Sequence, residues 1–312
     1  MENVLKSVIL KILVLSSLMF SLTHAGELTD KAPAFDLDSV KKTVEVNGLD
    51  FCVTDHGEGK PVLLLHGFPD SRHVWRYLIP ELLDAGYRVI APDLRGFGES
   101  SRPAGVENYA FNLLASDVIG ILDALGVNKA SIIGHDFGAG LAWYTVAFFP
   151  DRFDKLIAMS VGVDGNRGWQ TIEQREKSWY FDFFNKEGIA EEALSADNWK
   201  LFRELIRNQG DPDRFFSDMA RPGALTAALN WYRANTRGFG KRITEPVFPM
   251  INLPVMGIWS TGDHHLLEAQ MKESKSNVTG PWHYVRVEEA GHWFMLEKPA
   301  QVNAIVLDFL KI

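Results

Sequence analysis

Short apolar runs alternate with segments of helical periodicity along most of the chain. Each run is long enough for a strand buried on both faces, and bounded by turn residues. The predicted strands are residues 42–46, 49–55, 61–65, 88–91, the short run from Ser131, 155–159, 255–259 and 284–287. Helical spacing is clearest at residues 112–125, which close at Gly126, and another helix is predicted around residues 75–85. Asn47-Gly48 between the first two strands predicts a hairpin with a two-residue turn, and the residues after the first 25, to about Ser39, are expected to form an extended arm. Strands that alternate with helices predict an α/β fold with a doubly wound, mostly parallel sheet.

This alternation is interrupted between residues 162 and 246. The segment is rich in aromatic residues, lacks strand-like runs and has helical segments with polar interruptions. It predicts a helical cap inserted between two halves of one sheet. The predicted organisation is a signal peptide at 1–25, the first part of the core at 26–161, the cap at 162–246 and the second part of the core at 247–312.

The first 25 residues have the pattern of a secretory signal peptide. Lys6 and Lys11 precede an apolar run at residues 12–22, and Thr23-His24-Ala25 offers a small-residue cleavage site. An uncleaved membrane anchor is the alternative, but the run is too short to span a bilayer comfortably. We therefore expect an exported protein, periplasmic or secreted, that is cleaved near Ala25 and has no membrane association in its mature form.

Composition narrows the possible partners. The 312-residue chain has a formal charge of −8 and 46% hydrophobic residues. Nucleic acid is not expected as a partner, because phosphate binding requires a basic surface. The single cysteine, Cys52, excludes an intramolecular disulfide and is predicted to be a small core residue in a strand. Nothing in the sequence indicates an oligomeric state.

The most informative motif is Gly134-His135-Asp136-Phe137-Gly138, which lies between an apolar strand and a helical pattern. It has the layout of a nucleophile elbow, G-x-S-x-G, with aspartate in the serine position. A carboxylate is already ionised at neutral pH and needs no activating base. Asp136 can therefore displace a leaving group at saturated carbon and form an alkyl ester. The alternative is an unreactive aspartate in a tight turn.

Three further groups follow predicted strands. His66-Gly67-Phe68-Pro69 follows residues 61–65, while Asp263 and His292 follow the last two strands. The carboxyl ends of parallel strands meet at one edge of a sheet, and the order nucleophile, acid, histidine is that of the hydrolase triad. We expect His292, oriented by Asp263, to activate the water that hydrolyses the ester. The backbone N–H groups of Phe68 and Phe137 would hold the oxyanion.

Several histidines are assigned no chemistry. His264 and His265 directly follow the candidate acid, but adjacent histidines on a loop lack the spacing of a metal site and are expected to be solvated. His66 and His135 are expected to make structural hydrogen bonds near the site. We predict neither a metal nor another cofactor.

The motifs resemble those of the epoxide hydrolases of the α/β-hydrolase fold, over nearly the whole mature chain. The matching segments are His66-Gly67-Phe68-Pro69, residues 93–98, Gly134-His135-Asp136-Phe137-Gly138 and Gly291-His292-Trp293. The resemblance implies cofactor-free conversion of an epoxide and water to a vicinal diol. It also assigns Tyr180 and Tyr232 of the cap as donors to the epoxide oxygen, and implies a cis peptide at Phe68-Pro69. Residues 93–98 are expected to be a structural loop.

Two alternatives remain open. Haloalkane and haloacid dehalogenases share the scaffold, but the former typically place tryptophan after the aspartate as a halide donor, and this chain has Phe137 there. A non-catalytic ligand-binding homologue is the second alternative, and it has no need of a triad together with two cap tyrosines. Tyr180 and Tyr232 could also be packing residues, since Tyr180 lies among other aromatics. The aromatic cap indicates a small apolar epoxide but neither a particular compound nor an enantiomer.

Overall fold

The computed structural model describes residues 35–163, 171–236 and 248–312. The predicted signal peptide and parts of the predicted cap, residues 164–170 and 237–246, lie outside them. Within the described ranges, no helix is long and apolar enough to cross a membrane.

The described residues form one eight-stranded sheet that confirms the predicted fold class. Its strands are β1 Lys41–Val46, β2 Leu49–His56, β3 Pro61–Leu65, β4 Arg88–Pro92, β5 Ala130–His135, β6 Phe153–Met159, β7 Val255–Ser260 and β8 Trp282–Val287. Their order is β1-β2-β4-β3-β5-β6-β7-β8. The β1–β2 and β2–β4 pairs are antiparallel and the other pairs are parallel. The carboxyl ends of β3, β5, β6 and β7 therefore meet at one edge.

The amino-terminal end of the sheet agrees with the predicted hairpin. Asn47 and Gly48 connect β1 to β2 with φ of 55° and 74°, as a two-residue hairpin turn requires. Cys52 is buried in β2, as predicted. Before β1, a 3-10 turn at Leu37–Val40 replaces the end of the extended arm that the sequence suggests, because the Asp36 carboxylate accepts the Asp38 N–H.

The core helices before the cap are α1 Ile79–Asp84, α2 Phe111–Ala124 and α3 Phe137–Phe148. The helix predicted from about residue 75 begins later than expected. A 3-10 turn at Arg72–Trp75 comes first, and Pro80 lies in the opening turn of α1, where its missing N–H costs nothing.

The described part of the cap consists of helices and the loops that connect them, as predicted. Its helices are α4 Ile172–Lys177, α5 Tyr180–Phe184, α6 Ile189–Leu205, α7 Pro212–Met219 and α8 Ala224–Asn235. The α6 segment is interrupted by non-helical backbone at residues 196–199. After the cap the core continues with α9 Glu268–Glu273, α10 Phe294–Glu297 and α11 Pro299–Lys311.

The loop at residues 93–98 holds the cap on the core, in agreement with its predicted structural role. Arg95 makes two hydrogen bonds of 2.7 Å to Asp117 of α2. The Arg95 carbonyl accepts the indole N–H of Trp231 in α8 at 2.9 Å, and the Gly98 carbonyl accepts Arg221 at 2.9 Å. The cap is thereby fixed above the strand ends that carry the candidate chemistry.

Candidate active site

Asp136 lies on a sharp turn between β5 and α3. Its φ of 52° and ψ of −124° are strained for a residue with a side chain. The crossing depends on glycine, because a Cβ on Gly134 would lie 2.2 Å from the Gly138 carbonyl oxygen. A Cβ on Gly138 would in turn lie 2.1 Å from the Leu65 carbonyl oxygen. The turn presents the carboxylate of Asp136 at the carboxyl edge of the sheet, as a nucleophile elbow does.

The two carboxylate oxygens of Asp136 have different neighbours. Oδ1 accepts the backbone N–H of Phe68 at 2.9 Å, and Oδ2 lies 3.4 Å from His292 Nε2. Gly67 allows this approach, since a Cβ there would lie 2.4 Å from the Asp136 Cβ. The Phe68-Pro69 peptide is cis, as the resemblance implied. Phe137 starts α3 directly after the nucleophile candidate.

His292 is held from behind by Asp263, which follows β7. The His292 Nδ1–Asp263 Oδ2 distance is 2.9 Å. The other oxygen of Asp263 accepts the backbone N–H groups of His265 at 2.8 Å and Leu266 at 3.0 Å. The structure thus brings Asp136, His292 and Asp263 together in the predicted order.

Ser160 completes this hydrogen-bond group, although the sequence did not single it out. It follows β6 with a φ of 70°, and its hydroxyl donates to Asp263 Oδ2 at 2.5 Å. The same hydroxyl lies 3.0 Å from His292 Nδ1. Its place directly after a central strand was the only available signal.

Burial opposes every charge in this group, but the charges stabilise one another. Burial lowers the pKa of His292, yet the carboxylates of Asp263 and Asp136 outweigh it and raise the pKa to about 10. Burial raises the pKa of Asp136 and of Asp263, and His292 outweighs it in both, so both pKa values lie below the ordinary value. The resting site is therefore an imidazolium between two carboxylates.

The cap places both predicted tyrosines over the nucleophile candidate. Tyr180 and Tyr232 are buried, with ring centres 5.9 Å apart. Neither hydroxyl has a hydrogen-bond partner within the described part of the chain. Burial raises both phenol pKa values well above the ordinary value, and the charge of Asp136 adds to this. Both groups are therefore neutral donors at physiological pH.

Two adjoining cavities lie between core and cap. The inner cavity has a volume of about 20 Å³, room for about one water molecule. Its lining consists of Phe68, Pro69, Asp136, Tyr180, Leu205, Ile206, Tyr232, His265, His292 and Trp293. The outer cavity is open and has a volume of about 510 Å³. Tyr180, Leu205 and His265 line both cavities.

The prediction that both histidines after Asp263 are solvated is wrong for one of them. His264 is exposed, but His265 is buried with its ring centre 5.1 Å from that of His292. Its backbone N–H donates to Asp263 Oδ1 at 2.8 Å, and its side chain lies under the cap beside Tyr180. No cluster of three or more potential metal ligands occurs among the residues the structure describes.

His66 and His135 make structural hydrogen bonds, as predicted. His66 Nε2 accepts the Leu94 N–H at 2.9 Å, while Nδ1 donates to the Gly67 carbonyl at 2.9 Å. Burial lowers the pKa of His66 to about 4, which keeps this imidazole neutral. His135 Nε2 lies 3.0 Å from the His292 carbonyl oxygen and supports that loop.

Comparison with known proteins places these features in a family. A family model for the α/β hydrolase fold matches residues 60–299. The AB hydrolase superfamily protein YfhM of Bacillus subtilis is 35% identical, over 88% of this chain and 99% of that protein. Epoxide hydrolase A of Mycobacterium tuberculosis is 32% identical, over 86% of this chain and 97% of that protein.

Solved structures give the same result. An epoxide hydrolase from metagenomes of hot environments superposes with a TM-score of 0.78 at 28% identity, over 86% of this chain and 98% of that one. The Bacillus megaterium epoxide hydrolase in complex with an inhibitor also gives 0.78, at 26% identity, over 87% of this chain and 100% of that one. The chain belongs to the α/β-hydrolase fold family and, within it, to the epoxide hydrolases.

Proposed function

We propose that the protein converts an epoxide and water to a vicinal diol through a covalent alkyl ester on Asp136. The observation that carries this proposal is the arrangement around the inner cavity. An ionised carboxylate lines this cavity together with two phenols whose hydroxyls make no hydrogen bond to the residues that the structure describes. Epoxide opening requires this pairing of a nucleophile at carbon with a proton donor at oxygen.

Ring opening uses Oδ2 of Asp136, since Oδ1 is held by the Phe68 N–H. Oδ2 forms a bond to a ring carbon while the carbon–oxygen bond of the epoxide breaks. The departing oxygen takes hydrogen bonds, and finally a proton, from the phenols of Tyr180 and Tyr232. A neutral phenol suits this step because it remains protonated near pH 7.

Ester formation prepares His292 for the second step. The ester on Asp136 carries no charge, so one of the two carboxylates that hold the His292 proton is lost, and the pKa of His292 falls from about 10. The neutral imidazole, oriented by Asp263, then takes a proton from water that attacks the Asp136 carbonyl carbon. The Phe68 N–H already lies 2.9 Å from Oδ1, where the oxyanion develops, with the Phe137 N–H as the second proposed donor.

The indole groups near the site argue against halide displacement. Trp293 lines the inner cavity, but its N–H donates to Asp70 Oδ2 at 2.8 Å. The Trp231 N–H donates to the Arg95 carbonyl. The side chain of Phe137 has no N–H group, and its ring centre lies 4.6 Å from that of Tyr232. These side chains leave a departing halide without the N–H donors that would stabilise its charge.

The lining of the inner cavity supports an apolar group next to the epoxide ring. Besides the reacting groups, this cavity is lined by His265 and by Phe68, Pro69, Leu205, Ile206 and Trp293. The outer cavity, of about 510 Å³, lies within the size range of small-molecule sites, and about half of its lining residues are charged or polar: Glu173, Glu176, Lys177, Glu204, Arg207 and His264. We infer that the epoxide ring lies against Asp136 and its substituent extends past Leu205 toward the outer cavity.

A single turnover of an aryl epoxide in oxygen-18 water tests the mechanism. The label should appear in the peptide that contains Asp136, and the first diol should contain only unlabelled oxygen. Label that enters this diol directly, with none on Asp136, would exclude the covalent ester. Halide release from haloalkanes at rates above diol formation would instead identify a dehalogenase.

We also propose that the protein is exported and cleaved near Ala25. The support comes from the sequence alone: Lys6 and Lys11, the apolar run at residues 12–22 and the small residues Thr23-His24-Ala25. Fractionation of the native host, followed by amino-terminal sequencing, tests this. A chain recovered in the cytoplasm with Met1 intact would contradict it.

A further inference from the structure

His265 is a buried imidazole between the base and one of the acids of the proposed reaction. Its ring centre lies 5.1 Å from that of His292 and 5.7 Å from that of Tyr180, edge-on to both. It lines the inner cavity and also the outer one. His265 therefore contacts both the water-activating group and a ring-opening group, and it lines both cavities.

The backbone of His265 is hydrogen-bonded to both the core and the cap, but one nitrogen of its ring has no partner. The backbone N–H donates to Asp263 Oδ1, and the carbonyl accepts Gln174 of the cap at 2.8 Å. The buried Nε2 has no hydrogen-bond partner in the described ranges. An unpaired buried polar atom destabilises the folded protein, so its presence beside a reaction cavity indicates a ligand or a transferred proton.

The proposed reaction leaves one proton to be moved. Ring opening takes a proton from a phenol and leaves a phenolate in the cap. The resting imidazolium of His292 must also lose its proton before it can activate water. Hydrolysis of the ester then consumes one water: one of its protons ends on the released diol oxygen, Asp136 returns as carboxylate, and the other proton restores the His292 imidazolium. The cycle closes only when the proton that left the resting imidazolium has reached the phenolate.

We propose that His265 carries this proton from His292 to the phenolate of Tyr180. One ring nitrogen of His265 accepts the proton while the other releases its own proton to the phenolate oxygen, directly or through one water. The imidazole ends neutral, as it began, with the opposite nitrogen protonated. Exchange with water in the outer cavity restores the first tautomer. This role rests on the proposed function.

The charges around His265 suit transfer rather than storage of the proton. Burial and the positive charge of His292 lower the pKa of His265 to about 4, although Asp263 and Asp136 act in the opposite direction. His265 therefore holds the proton only transiently. Tyr180 has a ring contact with His265, whereas Tyr232 does not. The relay therefore returns the proton to Tyr180 and not to Tyr232.

Replacement of His265 by Gln separates this role from ring opening. In His265→Gln, the first-turnover rate of Asp136 alkylation should stay unchanged. The steady-state kcat should fall about 100-fold, the lower end of the range for a placed acid–base group. Phenolate should accumulate and be visible by its ultraviolet absorbance. Imidazole added to the solution, which can enter the outer cavity, should restore part of kcat.

Three variants sharpen the result. His265→Phe keeps a ring of similar shape without nitrogens and should behave as His265→Gln does. His56→Gln, at an exposed histidine of β2 that lines neither cavity, should match the wild type. On a Tyr180→Phe background no phenolate forms at that position, so His265→Gln should cause little further loss of kcat.

The outcomes separate failure of the relay from failure of the proposed function. A wild-type enzyme that forms no alkyl-enzyme would refute the function itself. Normal kcat in both His265 variants, or slower first alkylation without phenolate accumulation, would overturn the relay alone. Circular dichroism melting of each variant identifies any that fails to fold, and the remaining variant then decides.

Discussion

The core side and the cap side of the site are held by different forces. On the core side, Asp136 and Ser160 have positive φ, and Asp263 accepts two backbone N–H groups and the Ser160 hydroxyl. On the cap side, Tyr180 and Tyr232 are held by ring contacts, for example with Phe184 at 5.4 and 4.8 Å. Their hydroxyls make no hydrogen bond within the described residues.

This difference indicates which parts of the site can change. Groups fixed by backbone geometry keep their positions only if the turns and the glycines beside them are kept. Groups fixed by ring packing can be replaced by rings of similar shape at little cost in stability. We therefore expect the core to determine the nucleophile and the order of steps, and the cap to determine rates and substrates. Four predictions test this contrast.

The largest effect is expected on the core side, for His292→Gln. Ring opening does not need the imidazole as a base, but ester hydrolysis does. The alkyl-enzyme should therefore accumulate to one equivalent, and kcat should fall about 10⁴-fold. Intact-protein mass spectrometry after mixing with substrate measures the adduct. His56→Gln, an exposed histidine on β2, is the control. Diol release without an accumulated adduct would mean that another group activates the water.

The next effect is expected on the cap side, for Tyr180→Phe combined with Tyr232→Phe. Without a proton donor the epoxide oxygen leaves poorly, so kcat/KM should fall about 10²–10³-fold, with no adduct. The unfolding free energy should change by less than about 1 kcal/mol, because neither hydroxyl is hydrogen-bonded. Tyr284→Phe, on β8 and outside the lining of both cavities, should leave kcat/KM unaltered. Near-normal rates in the double variant would show that both rings serve packing only.

Two glycines on α3 provide a matched pair for stability. In Gly138→Ala the new Cβ would lie 2.1 Å from the Leu65 carbonyl, and we expect a loss of about 1–3 kcal/mol. In Gly140→Ala the nearest atom, of Phe111, is 3.5 Å away, and we expect a gain of about 0.5–1 kcal/mol from helix propensity. Urea denaturation measures both. Equal effects would show that the elbow is not tightly packed.

The smallest effect is expected for the titration of His292. Because its folded-state pKa of about 10 exceeds the ordinary 6.5, its stabilising effect is complete below about pH 6.5 and lost as pH rises through 10. Asp136→Asn removes one of the two carboxylates, so the pKa of His292 should fall and the loss should begin at lower pH. NMR of the imidazole protons measures the shift. An unchanged pKa would show that Asp263 alone holds the proton.

Much of the core side could be predicted because its signals are local. Strand runs, glycines and the residue after each strand lie together in the sequence, and these identified Asp136, Asp263 and His292. Ser160 was missed because its role depends on β6 lying beside β7. His264 and His265 were treated alike because adjacent residues in a loop carry no periodic pattern, and the burial of His265 depends on how the loop packs between the core and the cap.

The cap was harder to predict for a physical reason. Its aromatic residues are similar in type, and neither the cavity volumes nor the break in α6 follows from their order. The two tyrosines were selected by resemblance, while their shared position over Asp136 required the structure.

The unequal surroundings of the two Asp136 oxygens have an isotopic consequence. If Oδ1 stays on the Phe68 N–H and Oδ2 alone attacks, each turnover gives the attacking oxygen to the diol and replaces it from water. During many turnovers in oxygen-18 water, the carboxylate should then carry one labelled oxygen and never two. Every diol after the first should carry one water-derived oxygen, while the other carboxylate oxygen remains the one with which the chain was synthesised.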